Sequence, residues 1–169
     1  ELGGAAFSEA FIARERHEVV DAWQLRTWEA YRDIPRLGRK QRLNEKQRGS
    51  LWTVFSALQQ RLDRSAMMTI PHVYAAVTAA IGTDITNPFD FAVIDEAQDV
   101  GVAQLRFLSA LGGGRPDALF FAGDQGQRIY QLPFSWKSLG VDIRGRSQVL
   151  RVNYRTSHQI RGLADTLLG

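Results

Sequence analysis

Cysteine is absent from this 169-residue chain, and its three histidines lie far apart at His17, His72 and His158. The lack of cysteine excludes a disulfide scaffold, a thiolate metal site and a cysteine nucleophile. No run of 18 apolar residues occurs, so no membrane-spanning helix is expected. The first residues, Glu1-Leu-Gly-Gly, show neither the basic nor the apolar region of a signal peptide. Together these absences predict a cytoplasmic protein.

The charge is nearly balanced overall but uneven along the chain. The net charge is +3, and 44% of the residues are apolar, which is ordinary for a folded domain with a core. Between Arg32 and Arg48, seven cations stand against two acids, a local excess of five. This segment fits either a solvated helix face or a strip that contacts a phosphate backbone. The candidate phosphate contacts are Arg36, Arg39, Lys40 and Arg42.

The chain before Asn87-Pro88 shows helical rather than strand periodicity. Residues 5–31 have roughly helical spacing of apolar positions, and residues 44–62 carry one apolar stripe typical of an amphipathic helix. Thr69 is placed to cap a further helix, with Pro71 in its first turn and Gly82 closing it. Three tryptophans are predicted to be core residues: Trp23, Trp28 and Trp52.

After Pro88 the pattern changes to short apolar runs alternating with helices. Strands are predicted at 89–95, 118–122 and 148–152, and helices at 102–111 and 156–168. This alternation predicts an α/β fold with a parallel sheet. Such sheets place their chemistry at the carboxyl ends of the strands. The residues at those ends are Asp95, Glu96, Gly123, Asp124, Asn153, Tyr154 and Arg155.

The strongest chemical signal is the acidic run at residues 95–99 (DEAQD), directly after an apolar strand. One carboxylate at a strand end can hold Mg²⁺. A second carboxylate beside it can take a proton from a water that attacks a phosphoryl group. The alternative is an acidic helix start, which the helix dipole favours.

Three motifs in order connect the chain to a family: residues 95–99 (DEAQD), 123–130 (GDQGQRIY) and 150–156 (LRVNYRT). From about Asn44 onward the chain resembles the UvrD/Rep-like superfamily 1 DNA helicases. The first motif is similar to their Walker B motif, the second to G-D-x-x-Q-S-I-Y and the third to L-x-x-N-Y-R-S. The resemblance implies a partial RecA-like parallel sheet of the P-loop NTPase type, preceded by a helical subdomain. The implied domains are residues 1–68 (helical) and 69–169 (partial ATPase).

The resemblance also implies roles for single residues around ATP. Asp95 would bind Mg²⁺, and Glu96 would be the general base. Gln127 would sense the γ-phosphate, and Arg155 would be an arginine finger. The residues assigned to nucleotide binding and its coupling to DNA are Tyr154, Gln98 and Asp99.

For DNA, the resemblance points to aromatic residues that stack on single-stranded bases. Tyr130 is the first candidate. Trp136 is the second, displaced from the position usual in the family, so the choice between the two stays open. Arg128 stands where serine is usual, and no role is assigned to it.

One expected motif is missing, because no G-x-x-x-x-G-K-[ST] occurs in the chain. That loop supplies the N–H cradle and the lysine for the β- and γ-phosphates. The simplest interpretation is a piece of a longer helicase that uses ATP and Mg²⁺. It would act on single-stranded DNA or a duplex junction, together with the rest of the same polypeptide. By itself the chain is expected to be inactive.

Two other interpretations stay open. The chain could be a non-catalytic module that binds nucleic acid or a partner through a degenerate ATPase fold. It could also be an unrelated phosphohydrolase with Asp95 and Asp124 as a metal pair, which leaves Gln127, Tyr154 and Arg155 unexplained.

Overall fold

The computed structural model describes residues 7–36, 39, 41–124, 135–150, 152, 154, 157, 159–160, 162–163 and 166. The α-helices in this part are α1 (Glu9–Glu15), α2 (Trp28–Asp33), α3 (Glu45–Arg64), α4 (Ile70–Ala80) and α5 (Val102–Gly112). A π-helical segment (Arg16–Asp21) continues α1, and short 3-10 helices cover Ala97–Asp99 and Lys137–Leu139. The strands are β1 (Ala92–Ile94) and β2 (Leu119–Phe121).

The first helical region is two helices with a turn between them, whereas the sequence predicted helical spacing throughout residues 5–31. Ser8 caps α1 by accepting from the Phe11 N–H at 3.2 Å. The chain then turns at Gln24, whose φ of 58° is left-handed, and Thr27 caps α2 through the Ala30 N–H at 3.3 Å. A left-handed residue followed by a new N-cap ends one helix and starts another.

Helix α3 confirms the predicted amphipathic helix and extends it to Arg64. Asn44 and Gln47 form a reciprocal capping box, with hydrogen bonds of 2.9 and 3.0 Å. Leu51 and Phe55 lie in a core with Val19, Val20 and Tyr31. Trp28 and Trp52 pack on this core, as predicted.

The two strands form a parallel pair joined by α5, which is an α/β arrangement. Ala92, Val93 and Ile94 lie opposite Leu119, Phe120 and Phe121, respectively. A second core holds Val102, Leu105, Leu139 and Val141, with Leu119, Phe121 and Trp23 packed against it. Trp23 therefore packs the helical region against the sheet region, in agreement with its predicted role as a core residue.

The predicted third strand is wrong for the residues that are described. Residues 148–150 and 152 are not in a strand, and Val149, Leu150 and Val152 are 80%, 89% and 64% exposed. A strand needs a neighbour for its backbone hydrogen bonds, and β1 and β2 pair only with each other in the described part. The described residues of the predicted last helix, from 159 to 166, are helical.

His72 on α4 is almost completely buried, with 1% exposure, and its Nδ1 lies 3.1 Å from the Thr69 hydroxyl. Burial first, and then the charge of Arg26, lowers the pKa of His72 below its ordinary value of 6.5. The folded state therefore disfavours the proton. The histidine reduces stability as the pH falls below 6.5, and it has no such effect above that pH.

We expect the His72→Gln variant to lose less free energy of unfolding between pH 7 and pH 5.5 than the unchanged chain. Urea unfolding at pH 7 and pH 5.5 measures the free energy of unfolding for both proteins. His17→Gln is the matched control, because His17 is exposed. The explanation fails if His72→Gln loses as much stability between these pH values as the unchanged chain.

Candidate active site

The carboxyl ends of β1 and β2 bring two of the sequence motifs to one edge of the sheet. Ala122 donates its N–H to the Ile94 carbonyl at 2.8 Å, and the Ala97 N–H returns to the Ala122 carbonyl at 2.8 Å. These bonds place Asp95 and Glu96 beside Gly123 and Asp124. The sequence prediction that strand ends gather these residues is confirmed for the first two strands.

Glu96 occupies an unusual backbone position at this edge. Its φ of 51° and ψ of 42° are left-handed, a conformation that costs a non-glycine residue about 1–2 kcal/mol. Its N–H donates to Asp95 Oδ1 at 2.8 Å, and its side chain is exposed. Such strained residues often occur at functional sites. The turn presents the carboxylate to solvent directly after the strand.

Gln98 joins the two strand ends through both atoms of its carboxamide. Its Nε2 donates to Glu96 Oε2 at 2.6 Å, and its Oε1 accepts from the Asp124 N–H at 3.0 Å. The Gln98 side chain and the Ala97 backbone lie so close to Gly123 that no side chain fits there. A Cβ there would lie 2.5 Å from Gln98 Oε1 and 2.8 Å from the Ala97 nitrogen.

The donor set around Asp95 fits a magnesium ion that is shared with a substrate. Among the described residues, no group of three or more carboxylates or histidines could hold a metal ion by itself. Magnesium in nucleotide sites is usually bound by one or two carboxylates and by substrate phosphates. Asp95 uses Oδ1 for the Glu96 N–H. Asp99 is exposed, and its N–H donates to the Glu96 carbonyl at 2.9 Å.

Several predicted site residues lie outside the described residues: Gln127, Tyr130, Arg155 and Lys40. Tyr154 is described and is 94% exposed. Trp136 packs against Phe121 edge to face, with ring centroids 4.8 Å apart, and joins the second core. A role of Trp136 in DNA stacking would therefore compete with this packing.

Two arginines of the predicted basic strip, Arg36 and Arg39, are folded inward. Arg36 forms hydrogen bonds of 2.9 and 2.7 Å with Glu15, and only 6% of its side chain is exposed. Arg39 pairs with Glu18 at 2.7 Å and lies 3.5 Å from Glu15. These two arginines are therefore neither on a solvated helix face nor free for phosphate. Arg42 is exposed.

Glu15 is the residue that the sequence interpretation missed. It is fully buried, and it accepts from the Tyr31 hydroxyl at 3.2 Å as well as from Arg36. A signal for it existed, since Glu15 follows Ile12 by three positions and precedes Val19 by four. It therefore stands on the apolar stripe of its own helix, where a buried carboxylate needs cationic partners.

Comparison with known proteins gives the family. Residues 13–135 match the UvrD/REP helicase N-terminal domain, so the match begins well before Asn44, where the resemblance was expected to start. The ATP-dependent DNA helicases UvrD2 of Mycobacterium bovis and Mycobacterium tuberculosis are 29% identical to the chain over 137 residues. That alignment covers 75% of this chain but only 19% of each relative. No solved structure matches. The chain belongs to the UvrD/REP helicase family, within its N-terminal domain.

Proposed function

We propose that this chain is part of the ATP-driven motor of a DNA helicase, and that the longer protein couples ATP hydrolysis to movement on single-stranded DNA. The observation that carries the proposal is the meeting of residues 95–98 with Gly123 and Asp124 at the ends of two parallel strands. This juxtaposition supports the proposal, because open parallel sheets bind ligands at the carboxyl ends of their strands and an exposed carboxylate lies there. The proposed fold is part of a RecA-like sheet, with residues 1–68 as the helical subdomain and 69–169 as the ATPase part.

In this proposal Glu96 takes the proton from the water that attacks the γ-phosphate. Its carboxylate is exposed at the strand end, and its hydrogen bond from Gln98 fixes one oxygen while leaving the other for water. Asp95 would hold Mg²⁺, which neutralises phosphate charge when it is bound. Asp99 of the first motif, Gln127 of the second, and Tyr154 and Arg155 of the third would complete the nucleotide site.

An exposed apolar face of the sheet supports a contribution from the rest of the polypeptide. Phe91, Val93 and Phe120 are 73%, 76% and 62% exposed, and Val93 lies opposite Phe120 in the register. Parallel sheets are normally covered on both faces. The chain also spans less than a fifth of the length of its curated relatives. We therefore assign the phosphate-binding loop and the second motor domain to other parts of the longer protein.

Single-stranded DNA or a duplex junction is the proposed substrate. Arg42 and Lys40 are the members of the basic segment proposed for phosphate contact, since Glu15 and Glu18 engage Arg36 and Arg39. Tyr130 is the preferred stacking residue, because Trp136 already packs on Phe121.

Phosphate release in the presence and absence of single-stranded DNA tests the proposed function. We expect the full-length protein to hydrolyse ATP faster when DNA is added. The isolated chain should show no turnover above background, because it contains no phosphate-binding lysine motif. DNA-stimulated turnover by the isolated chain would contradict the proposed division of the motor.

The absence of that lysine motif from the chain also favours a second candidate, a non-catalytic module that binds nucleic acid or a partner. The same assay separates the two. A full-length protein that binds DNA but hydrolyses no ATP would support the binding module and exclude the motor.

A further inference from the structure

We propose that Gln98 is a positioning residue that fixes the carboxylate of Glu96, and that Gly123 is needed because a Cβ there would displace Gln98. This inference rests on the proposed function of Glu96 as a base. It differs from a direct role of Gln98 in nucleotide binding, because it makes Glu96 and Asp124 the partners of the two polar atoms of the side chain.

The orientation of the Gln98 carboxamide follows from its backbone partner. The Asp124 N–H can only donate, so the atom that faces it at 3.0 Å must be Oε1. The NH₂ group then points to the other side, where Glu96 Oε2 accepts at 2.6 Å. A backbone donor at the end of β2 thus determines which Gln98 atom meets the Glu96 carboxylate.

Glu96 needs such support because its backbone is left-handed. One hydrogen bond, from its N–H to Asp95 Oδ1, holds the start of the turn. The Ala97 N–H holds the next residue to the carbonyl of Ala122. Gln98 supplies the hydrogen bond to the side chain itself. A base must be held close to its productive geometry, since a displacement of about 1 Å can cost about 10²-fold in rate.

Gly123 makes this bridge possible through the missing Cβ. An added methyl group would lie 2.5 Å from Gln98 Oε1 and 2.8 Å from the Ala97 nitrogen. The Ala97 nitrogen belongs to the hydrogen bond that joins the two strand ends, so it is the less movable of the two. The Gln98 side chain would therefore have to move away, and the backbone at Ala97 would have to shift as well. Glu96 would then lose its donor.

Steady-state kinetics of the full-length protein test the proposal, because a positioning residue should change kcat and leave the KM for ATP unchanged. We expect Gln98→Ala and Gly123→Ala to lower kcat about 10²-fold, with the KM for ATP unchanged. Gln98→Glu keeps the shape of the side chain and can still accept from Asp124, but as a carboxylate it has no proton to donate to Glu96. It also places a second acid beside Glu96, and two carboxyl groups that repel each other or share one proton leave Glu96 a poorer base. The variant should therefore lower kcat at least as much as Gln98→Ala, and because it is isosteric the loss does not come from a missing side chain.

Gln104→Ala is the matched control. Gln104 also accepts a backbone N–H with its Oε1, from Gly101 at 2.7 Å, but its hydrogen bond caps the start of α5. Its kcat and KM should equal those of the unchanged protein. A raised KM with normal kcat in Gln98→Ala would instead place Gln98 on the nucleotide and overturn the proposal. So would a normal kcat in Gln98→Glu.

The failure of this inference can be told apart from the failure of the proposed function. If Glu96→Gln abolishes hydrolysis while Gln98→Glu behaves like the unchanged protein, only the positioning role is wrong. If Glu96→Gln hydrolyses ATP normally, Glu96 is not the base, and the positioning role falls with it.

Discussion

Glu96→Gln in the full-length protein is expected to abolish ATP hydrolysis while ATP binding survives. The amide keeps the shape of the side chain but cannot take a proton from water, and a general base typically contributes about 10²–10⁴-fold to a rate. Glu96 lies two residues after the end of β1 and is exposed, so its replacement disturbs no core packing. Phosphate release measures the loss, and binding of a fluorescent ATP analogue measures the retained affinity.

Asp90→Asn is the control for this experiment. Asp90 lies just before β1, its side chain is 90% exposed, and its one described ion pair is a 3.7 Å contact with Arg115. It should hydrolyse ATP at the unchanged rate. Hydrolysis by Glu96→Gln at the same rate as Asp90→Asn would show that Glu96 is not the base.

Glu15→Ala is expected to destabilise the chain by about 3–5 kcal/mol, which is the usual cost of removing one partner of a buried ion pair. The carboxylate is fully buried and holds Arg36 at 2.7 and 2.9 Å. Its removal would leave the Nε and Nη2 groups of that guanidinium without their acceptor, while Nη1 keeps the Gln41 carbonyl. Since whole domains are stable by only about 5–15 kcal/mol, this loss brings the chain close to unfolding.

The Tyr31 hydroxyl would lose its acceptor in the same variant. It donates to Glu15 Oε1 at 3.2 Å, and burial, followed by the charge of Glu15, raises the pKa of Tyr31. The hydroxyl therefore stays protonated and needs an acceptor at every working pH. Its loss adds to the cost of the unpaired arginine.

Urea unfolding, monitored by circular dichroism, measures the change in the free energy of unfolding that Glu15→Ala causes. Glu29→Ala is the matched control, because Glu29 is an exposed acid at the start of α2. It should cost less than about 1 kcal/mol, the usual value of an acid in the first turn of a helix. Equal stability of the two variants would show that the buried ion pair contributes nothing.

Local sequence signals predicted the elements whose determinants are close together in the chain. Asn44 and Gln47 mark the start of α3 three residues apart, and the apolar runs that become β1 and β2 end in polar residues. The parallel arrangement then follows from the helix between the strands. This reasoning was sufficient to predict that the acidic motif and Asp124 lie at the same edge of the sheet.

What could not be predicted depends on contacts that are distant in sequence. Glu15 and Arg36 are separated by 21 positions, and no local pattern relates them. The basic segment was therefore interpreted as a possible phosphate-binding surface, although Arg36 and Arg39 of this segment pair with the buried Glu15. The contact of Gln98 with Asp124, 26 positions apart, likewise requires the register of the strands.

The bare apolar face of the sheet also determines how the isolated chain behaves when it is produced alone. The exposed side chains of Phe91, Val93 and Phe120 form one apolar patch. Among the described residues, β1 and β2 pair with no third strand. Open strand edges beside exposed aromatic residues favour self-association and inclusion bodies. Material for biophysical work is therefore best made as a fusion to a solubility tag.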